Sequence, residues 1–434
     1  MRIEYFALTF CILSAIYAFR SEKSIVNPAT TFCTLWGVVF LFSSLQFYTM
    51  TKPMDSTYAV FLGGVIAFVS GYWVYNIFFS NVVIQFGNKK ISTIGGYEPR
   101  YQWLYSLIFV SCIYLIFNLF AVIRNVGSFS LGNIQSMLQS GEFVALNSKL
   151  LNVLFLLIIQ PVSYAIPAIT AADFWYGNRN RKLFIYTIIM IVLRMLSTAN
   201  RTSFLLFFIY LIIGGVEKII SRRSHKKKML EEKQQVKKYK KWIKHAVVVA
   251  VLAFVIMTMS RGARIFRNLY LNFAMPIRMF EIWKEQVDSS GLMGIGMGSL
   301  NGFVNIFYYL LRNIFGIQMP QNIQSIYNMI MATDTEWQWV GKNILANAYV
   351  SLFWSFYLDF REVGVFIGSF LYGMFSSRRY GLLKRFPSVR NFAVYAIIFY
   401  GVLFSFVRFQ FALSGYALGL LYVPFLIKKV KDKS

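Results

Sequence analysis

Two arginines stand in the most apolar part of the chain, where a permanent positive charge needs a reason. Arg194 and Arg201 lie one heptad apart, in IVLRMLS and STANRTSFLLFF. Arginine stays protonated in any protein, and a charge at the centre of a bilayer costs about 2.5 to 3.5 kcal/mol even on mild insertion scales. A polar interface, a polar partner or a bound anion must therefore accommodate both side chains.

A second group of arginines follows a regular spacing. Arg261, Arg264 and Arg267 repeat at i, i+3 and i+6 in SRGARIFRNLYLNF. In a helix these side chains project from one stripe about 9 Å long. Like charges along such a stripe repel one another unless an anion lies beside them, and the donor fork of arginine matches phosphate. The stripe predicts a phosphate or pyrophosphate site, with snorkelling to lipid headgroups as the alternative.

Three carboxylates are candidates for taking a proton from a substrate. Asp359, in FYLDFREVG, stands beside Arg361, so it is either half of a structural ion pair or a general base near a cation that binds a leaving group. Glu281 and Asp288, in RMFEIWKEQVD, come next. Glu281 and Glu285 at i, i+4 are also typical of an exposed helix face.

Motifs for nucleotide, serine or zinc chemistry are absent from the sequence. There is no P-loop, no dinucleotide-binding glycine pattern, no GxSxG and no HExxH. The three cysteines lie in apolar runs without metal or redox spacing, which indicates packing. We therefore predict no cofactor and no resident metal.

Composition indicates that these residues are carried by membrane helices. The chain has 434 residues, of which 57% are hydrophobic and 14% charged, whereas soluble domains have about 25% charged residues. The net charge of +27 is concentrated in short clusters between apolar runs, which indicates membrane topology and argues against a nucleic-acid partner. We predict an all-α polytopic protein with about eleven transmembrane helices, near residues 3–19, 30–48, 57–79, 102–123, 150–175, 183–198, 202–220, 246–259, 363–377, 391–407 and 411–427.

The distribution of basic residues predicts the orientation of these helices. Segment 221–245 carries eleven Lys and Arg against two Glu, which places it in the cytoplasm by the positive-inside rule. Counting outward puts the N-terminus outside and the C-terminus inside, and brings 28 of the 44 basic residues to the cytoplasmic face. Arg194 and Arg201 then lie near the outer interface, where burial costs less.

A large external segment is predicted between the eighth and ninth helices. Residues 298–317 and 343–358 are apolar enough to span, but the polar stretch between them has two acids and one Lys, which is atypical of a cytoplasmic loop. We therefore expect two surface-lying or re-entrant helices, with thirteen spans as the alternative. The chain is thus predicted to have three consecutive parts: the first eight transmembrane helices with the basic segment (1–259), the external segment (260–362) and the last three transmembrane helices (363–434).

The layout resembles the Wzy family of O-antigen and capsule repeat-unit polymerases over nearly the whole chain. The resemblance rests on NPATTFCTLWGVVFLFSSL, TANRTSFLLFFIYLI, the external segment and NAYVSLFWSFYLDFREVGVFIGSFLYGMF. It implies a GT-C-like glycosyltransferase in the bacterial cytoplasmic (inner) membrane, with its active site outside. Such an enzyme transfers a growing glycan from undecaprenyl pyrophosphate to a new lipid-linked repeat unit. Membrane lipids, a flippase and a chain-length regulator are the implied partners.

The resemblance also orders the candidate residues. Arg201 opens the family's seventh-helix motif, which implies pyrophosphate binding, and Arg194, Arg261, Arg264 and Arg408 follow from position and chemistry. The related O-antigen ligases use a histidine base, but His225 and His245 both fall on the predicted cytoplasmic side. The base is therefore expected to be Asp359, Glu281 or Asp288. A ligase and a lipid or sugar transporter are the alternatives. The transporter is less favoured, because one large external segment makes the chain asymmetric.

Overall fold

The computed structural model of the chain describes residues 3–79, 96–126, 148–198, 202–224 and 265–430. These residues are mostly helical, with two small antiparallel sheets of two strands each. Arg201, Arg261 and Arg264, the predicted span 246–259 and most of the basic segment 221–245 lie outside the described residues.

The helices are numbered here in chain order. They are α1 Ile3–Glu22, α2 Pro28–Leu45, α3 Asp55–Val74, α4 Tyr101–Val126, α5 Lys149–Tyr176, α6 Arg181–Thr198, α7 Thr202–Ser224, α8 Ile265–Ala274, α9 Pro276–Ser290, α10 Asn301–Phe315, α11 Gln321–Thr335, α12 Ser351–Arg385, α13 Val389–Leu403 and α14 Ser414–Leu426. The strands are β1 Tyr97–Pro99, β2 Gln338–Gly341, β3 Ile344–Ala346 and β4 Ile427–Lys429. Strand β1 pairs with β4, and β2 pairs with β3.

Six helices among the described residues are long and apolar enough to cross a membrane: Ile3–Glu22, Pro28–Leu45, Asp55–Phe79, Tyr101–Arg124, Lys149–Tyr176 and Thr202–Ile220. The prediction of a helical membrane protein is confirmed to this extent: the described residues are mostly helical and include six candidate membrane-spanning helices. The count of eleven spans and the GT-C-like architecture stay predictions. Helices α13 and α14 coincide with predicted spans but have 15 and 13 residues.

The chain folds into two compact units that interleave along the sequence. Unit 1 comprises Met1–Gly87, Arg264–Gly381 and Gly401–Ala417, and unit 2 comprises Asn88–Ala263, Leu382–Tyr400 and Leu418–Ser434. These boundaries differ from the three consecutive parts expected from the sequence. Most of the predicted external segment belongs to unit 1, together with the first three helices.

Aromatic packing joins the predicted external segment to the candidate membrane helices of unit 1. The rings of Trp36 and Phe353 have centroids 4.8 Å apart, and those of Phe61 and Phe280 are 4.9 Å apart. Each pair connects α2 or α3 with α9 or α12, and all four side chains are fully buried. Burial of large aromatic rings therefore positions the residues of α9 and α12 that are described below.

Helix α12 contains a break at Phe360 and Arg361, where the sequence has neither proline nor glycine. Phe360 has φ −147° and ψ 33°, and Arg361 has φ 54° and ψ −142°. Residues 351–359, before the break, are buried in unit 1. The apolar segment 343–358 is therefore a strand followed by the buried start of α12, whereas segment 298–317 contains α10 with exposed apolar side chains.

In unit 2, a buried carboxylate shapes the turn between α5 and α6. Asp173 accepts hydrogen bonds from the Tyr101 hydroxyl (2.7 Å) and from the backbone N–H groups of Asn178 (3.1 Å) and Asn180 (2.8 Å). These bonds satisfy donors at the start of α6 and tie α4 to the turn. The turn fixes where α6, which carries Arg194, begins.

Candidate functional site

Five side chains at the end of α9 and around the break of α12 form what we call the Asp288 cluster. Tyr357 donates its hydroxyl to Asp288 Oδ1 and Oδ2 at 2.9 and 3.1 Å. Arg361 Nε lies 3.5 Å from Asp288 Oδ1. Lys284 Nζ lies 3.7 Å from Asp288 Oδ2 and 3.8 Å from Glu362 Oε1.

Local backbone features place this cluster. Asp288 lies in the last turn of α9, which ends at Gly291 with φ 65°. An acid at this end opposes the helix dipole, so its position does not serve helix stability. Arg361 occupies the left-handed region, which costs a non-glycine residue on the order of 1 to 3 kcal/mol. Strain of this kind is concentrated at functional sites, and here it presents Arg361 to Asp288.

The cluster combines two accessible acids, Asp288 and Glu362, with two cations. The Asp288 side chain is 43% exposed, whereas those of Lys284 and Arg361 are 27% and 23% exposed. Arg361 Nη2 donates to the Val287 carbonyl at 3.1 Å, while its buried Nη1 has no hydrogen-bond partner in the described structure. Burial and the neighbouring Asp288 carboxylate raise the pKa of Tyr357, which keeps its hydroxyl a donor. The arrangement can accept a proton at Asp288 and attract an anion beside it.

Asp359, the first candidate base, is placed differently. It is 3% exposed, and its Oδ1 and Oδ2 accept the backbone N–H groups of Gly298 (2.6 Å) and Ser299 (2.9 Å). Burial raises the pKa of the Asp359 carboxyl, although these hydrogen bonds oppose the shift. Among the described residues it forms no ion pair with Arg361, whose carboxylate partner is Asp288. Its contacts favour a role in holding the glycine-rich stretch GLMGIGMGS.

Glu281, the second candidate base, caps another helix. Its Oε1 accepts the backbone N–H of Met54 at 2.7 Å and the Thr57 hydroxyl at 2.9 Å, and its Oε2 pairs with Arg278. Met54 directly precedes α3, so Glu281 accepts a backbone N–H at the start of this helix and places a favourable negative charge there. With 2% exposure and both oxygens engaged, Glu281 is suited to a structural role.

Arg408, a predicted pyrophosphate ligand, has a carboxylate partner within unit 1. Its two terminal nitrogens contact both oxygens of Asp334 in a bidentate pair. The Asn347 amide donates to the Asp334 carbonyl at 2.6 Å, which ties the end of α11 to the same place. A bidentate pair of this kind compensates the charge and fixes chain geometry. The contacts of Arg408 thus favour structure over anion binding.

Arg194 lies in unit 2 within what we call the Arg194 cluster, which also contains Tyr164, Tyr210, Tyr400 and the Ile159 carbonyl. Arg194 Nη1 donates to the Ile159 carbonyl at 3.3 Å and interacts electrostatically with Tyr164 and Tyr400. The rings of Tyr164 and Tyr400 are edge to face, with centroids 6.2 Å apart. In the described part of the chain no carboxylate pairs with Arg194, and the fully buried Tyr210 hydroxyl has no hydrogen-bond partner.

The Arg194 cluster contains two polar groups whose needs the described side chains leave unmet. A guanidinium without a carboxylate partner has a charge that no acidic side chain compensates, and an unpartnered buried hydroxyl is costly unless a ligand completes it. The wider π-helical turn Phe155–Ile159 ends at the carbonyl that contacts Arg194. Such turns are frequent at functional sites.

Comparison with known proteins identifies no relative. The chain matches no protein-family model, no curated protein and no solved structure. The chemical properties of the Asp288 cluster and the Arg194 cluster are therefore the basis for a functional assignment.

Sequence reasoning names Asp288 and Arg361 from the first cluster, although it pairs Arg361 with Asp359, and Arg194 from the second. Asp288 is the third candidate base from the sequence, on a helix whose Glu281 and Glu285 are typical of an exposed face. The available signals were the i, i+4 spacings of Lys284 with Asp288 and of Tyr357 with Arg361. No local signal marks Tyr210. Within the described ranges, His, Cys, Asp and Glu side chains form no group of three that could hold a metal ion.

Proposed function

We propose that this chain is a membrane glycosyltransferase that polymerises oligosaccharide repeat units carried on undecaprenyl pyrophosphate. The reaction takes place on the outer face of the bacterial cytoplasmic membrane and produces O-antigen or capsular polysaccharide. The Asp288 cluster is the observation that supports this proposal best, because it joins two accessible carboxylates, Asp288 and Glu362, to two cations. The helical membrane fold supports it as well.

The proposed step requires a base and stabilisation of the charge on the leaving group. Asp288 takes the proton of the attacking sugar hydroxyl, and the hydroxyl oxygen forms a bond to C1 of the donor sugar. The bond between C1 and the pyrophosphate oxygen breaks, and the lipid pyrophosphate leaves with the electron pair. Lys284 and Arg361 stabilise the negative charge that develops on the leaving group.

Tyr357 and Asp359 position these groups in the proposal. The Tyr357 hydroxyl orients the Asp288 carboxylate, and Lys284 and Arg361 lie over the Tyr357 ring at 5.4 and 5.6 Å from its centroid. Asp359 holds the stretch that follows α9. Because the leaving group is already activated, the step needs no nucleotide.

We assign lipid pyrophosphate binding in unit 2 to Arg194, assisted by the Tyr210 hydroxyl. The reaction binds two lipid-linked pyrophosphates, that of the donor, which leaves, and that of the acceptor, which stays on the product, and therefore needs more than one anion-binding group. Arg201, Arg261 and Arg264 remain proposed contributors from the sequence and the resemblance. Among the five arginines that the sequence predicts as pyrophosphate ligands, Arg408 is the least suited, because its guanidinium already contacts Asp334.

The proposal is tested by analysing lipid-linked and surface glycans after deletion of the gene. Loss of a polymerase leaves single repeat units on the cell surface. Long chains retained on the polyprenyl carrier would instead indicate a ligase, and units retained inside would indicate a transporter. Conversion of purified lipid-linked repeat units into longer chains by the isolated protein would complete the test.

A further inference from the structure

Helix α10 in unit 1 carries an apolar face that no part of the described structure covers. Phe307, Ile314 and Phe315 are exposed by 58%, 66% and 69%. Phe307 and Ile314 lie seven residues apart, so they share one stripe of the helix, with Leu310 between them. An apolar stripe of this size marks an interaction surface.

The exposed side chains match those of a candidate membrane helix in the same unit. In α1, Leu13 and Tyr17 are exposed by 62% and 63%. Because α1 is long and apolar enough to cross a membrane, we expect such side chains on it to face acyl chains. The α10 stripe is suited to the same surroundings.

Helix α10 is too short to cross a bilayer and is attached at its beginning. Its 15 residues span about 22 Å, against about 30 Å of hydrocarbon. The Asn301 amide donates to the Ala412 carbonyl at 3.1 Å, and Gly302 lies against the carbonyls of Phe411 and Leu413. The helix can lie at a membrane surface but cannot span it.

The other side of α10 is polar and positively charged. Arg312 and Asn313 are exposed, and Tyr308 and Tyr309 are partly exposed. An apolar stripe bordered by tyrosine and arginine is typical of helices that lie in the headgroup region. Arg312 complements the phosphates of lipid headgroups.

We propose that α10 binds the bilayer interface, with the stripe from Phe307 to Ile314 at the acyl boundary and Arg312 at the headgroups. The surface would hold the external segment against the membrane. This inference rests on the exposure and composition of α10 and does not depend on the proposed glycosyltransferase reaction.

The test uses spin labels on the full chain in lipid nanodiscs. Cys11, Cys33 and Cys112 are replaced by alanine, and one cysteine is introduced as Ile314→Cys, with Asn313→Cys as the matched control on the polar side and Leu13→Cys as the lipid-facing standard. Collision rates with oxygen, which partitions into lipid, and with a water-soluble nickel chelate are then measured. We expect the oxygen-to-nickel ratio at residue 314 to resemble that at residue 13 and to exceed that at residue 313 several-fold.

Two outcomes would overturn the inference. Equal exposure of residues 313 and 314 to the nickel chelate would place the stripe in water. Shielding of residue 314 from both reagents would indicate a protein contact, such as a second copy of this chain. Phe307→Cys gives an independent reading on the same stripe if Ile314→Cys elutes as an aggregate, and size-exclusion profiles establish that each labelled variant is folded.

Discussion

Arg361 in unit 1 and Arg194 in unit 2 are the arginines on which the proposed chemistry depends, and their surroundings differ. Arg361 lies 3.5 Å from a half-exposed carboxylate that also faces Lys284. Arg194 has tyrosines and a backbone carbonyl around it and, within the described structure, no carboxylate. The first arrangement can transfer a proton next to a cation, whereas the second can only attract a negative charge. The difference separates acid–base chemistry from anion binding.

A third kind of arginine sharpens this contrast. Arg278 and Arg408 each pair closely with a carboxylate, Glu281 or Asp334, which has further structural bonds. Such pairs are expected to stabilise the fold and to contribute little to a reaction. Substitutions should therefore affect activity in the two clusters and stability at the pairs.

The largest effect is expected from Asp288→Asn. Removal of the proposed base should lower the polymerisation rate by about 100-fold to 10,000-fold, because general base catalysis contributes that much. The measurement is the rate of chain elongation with purified lipid-linked repeat units. Glu285→Gln is the matched control, since Glu285 is exposed on the same helix. Equal rates for Asp288→Asn and the native chain would remove Asp288 from the mechanism.

Arg194→Met should weaken substrate binding while leaving the fold intact. Loss of a charge-assisted contact to pyrophosphate is expected to raise KM about 10-fold, from about 1.5 kcal/mol of lost binding. The unfolding temperature should stay the same or rise, because the native arginine has no compensating carboxylate in the described structure. The measurements are KM for the lipid-linked substrate and thermal unfolding in detergent.

Arg408→Met is the counterpart that should reverse this result. It leaves Asp334 without its bidentate partner and should lower the free energy of unfolding by about 1 to 2 kcal/mol. KM for the lipid-linked substrate should not change. A rise in KM without loss of stability would return Arg408 to the set of pyrophosphate ligands.

Glu281→Gln should lower stability with little effect on activity per folded molecule. The amide keeps one acceptor for Met54 and Thr57 but loses the charge that pairs with Arg278, so about 1 kcal/mol is expected. Thermal unfolding and single-turnover rates measure the two effects. A loss of activity that exceeds the loss of folded protein would make Glu281 the base instead.

The smallest expected effect is on the pH dependence of stability. Burial raises the pKa of Asp359 in the folded state, so folding favours its protonated form. This carboxyl should therefore lower stability at neutral pH, and the penalty should decrease as the pH falls through the raised pKa towards the ordinary value of about 3.9. The stability of the native chain relative to Asp359→Asn should then increase on acidification. If the difference in unfolding free energy between the native chain and Asp359→Asn is constant from pH 7 to pH 4, the raised pKa of Asp359 is contradicted.

Parts of the structure follow from local sequence. Asn27 and Pro28 predict the start of α2, where Asn27 Oδ1 accepts the Thr30 N–H at 2.8 Å. Pro276 and Gly291 likewise bound α9. The break at Phe360 and Arg361 has no such signal, since neither a proline nor a glycine stands there. Packing of the preceding residues in unit 1 decides it.

The sequence by itself determined that this is a helical membrane protein, because it contains apolar runs of helix length with few charged residues, and clusters of basic residues separate these runs. It also narrowed the acids and arginines available for chemistry. Only the tertiary structure decided which acid is accessible and which arginines are compensated. Asp288 meets Tyr357 from 69 residues away, and Glu281 reaches Met54 from 227 residues away. Ionic and hydrogen-bonding partners at such separations depend on distances in space, which local spacing does not contain.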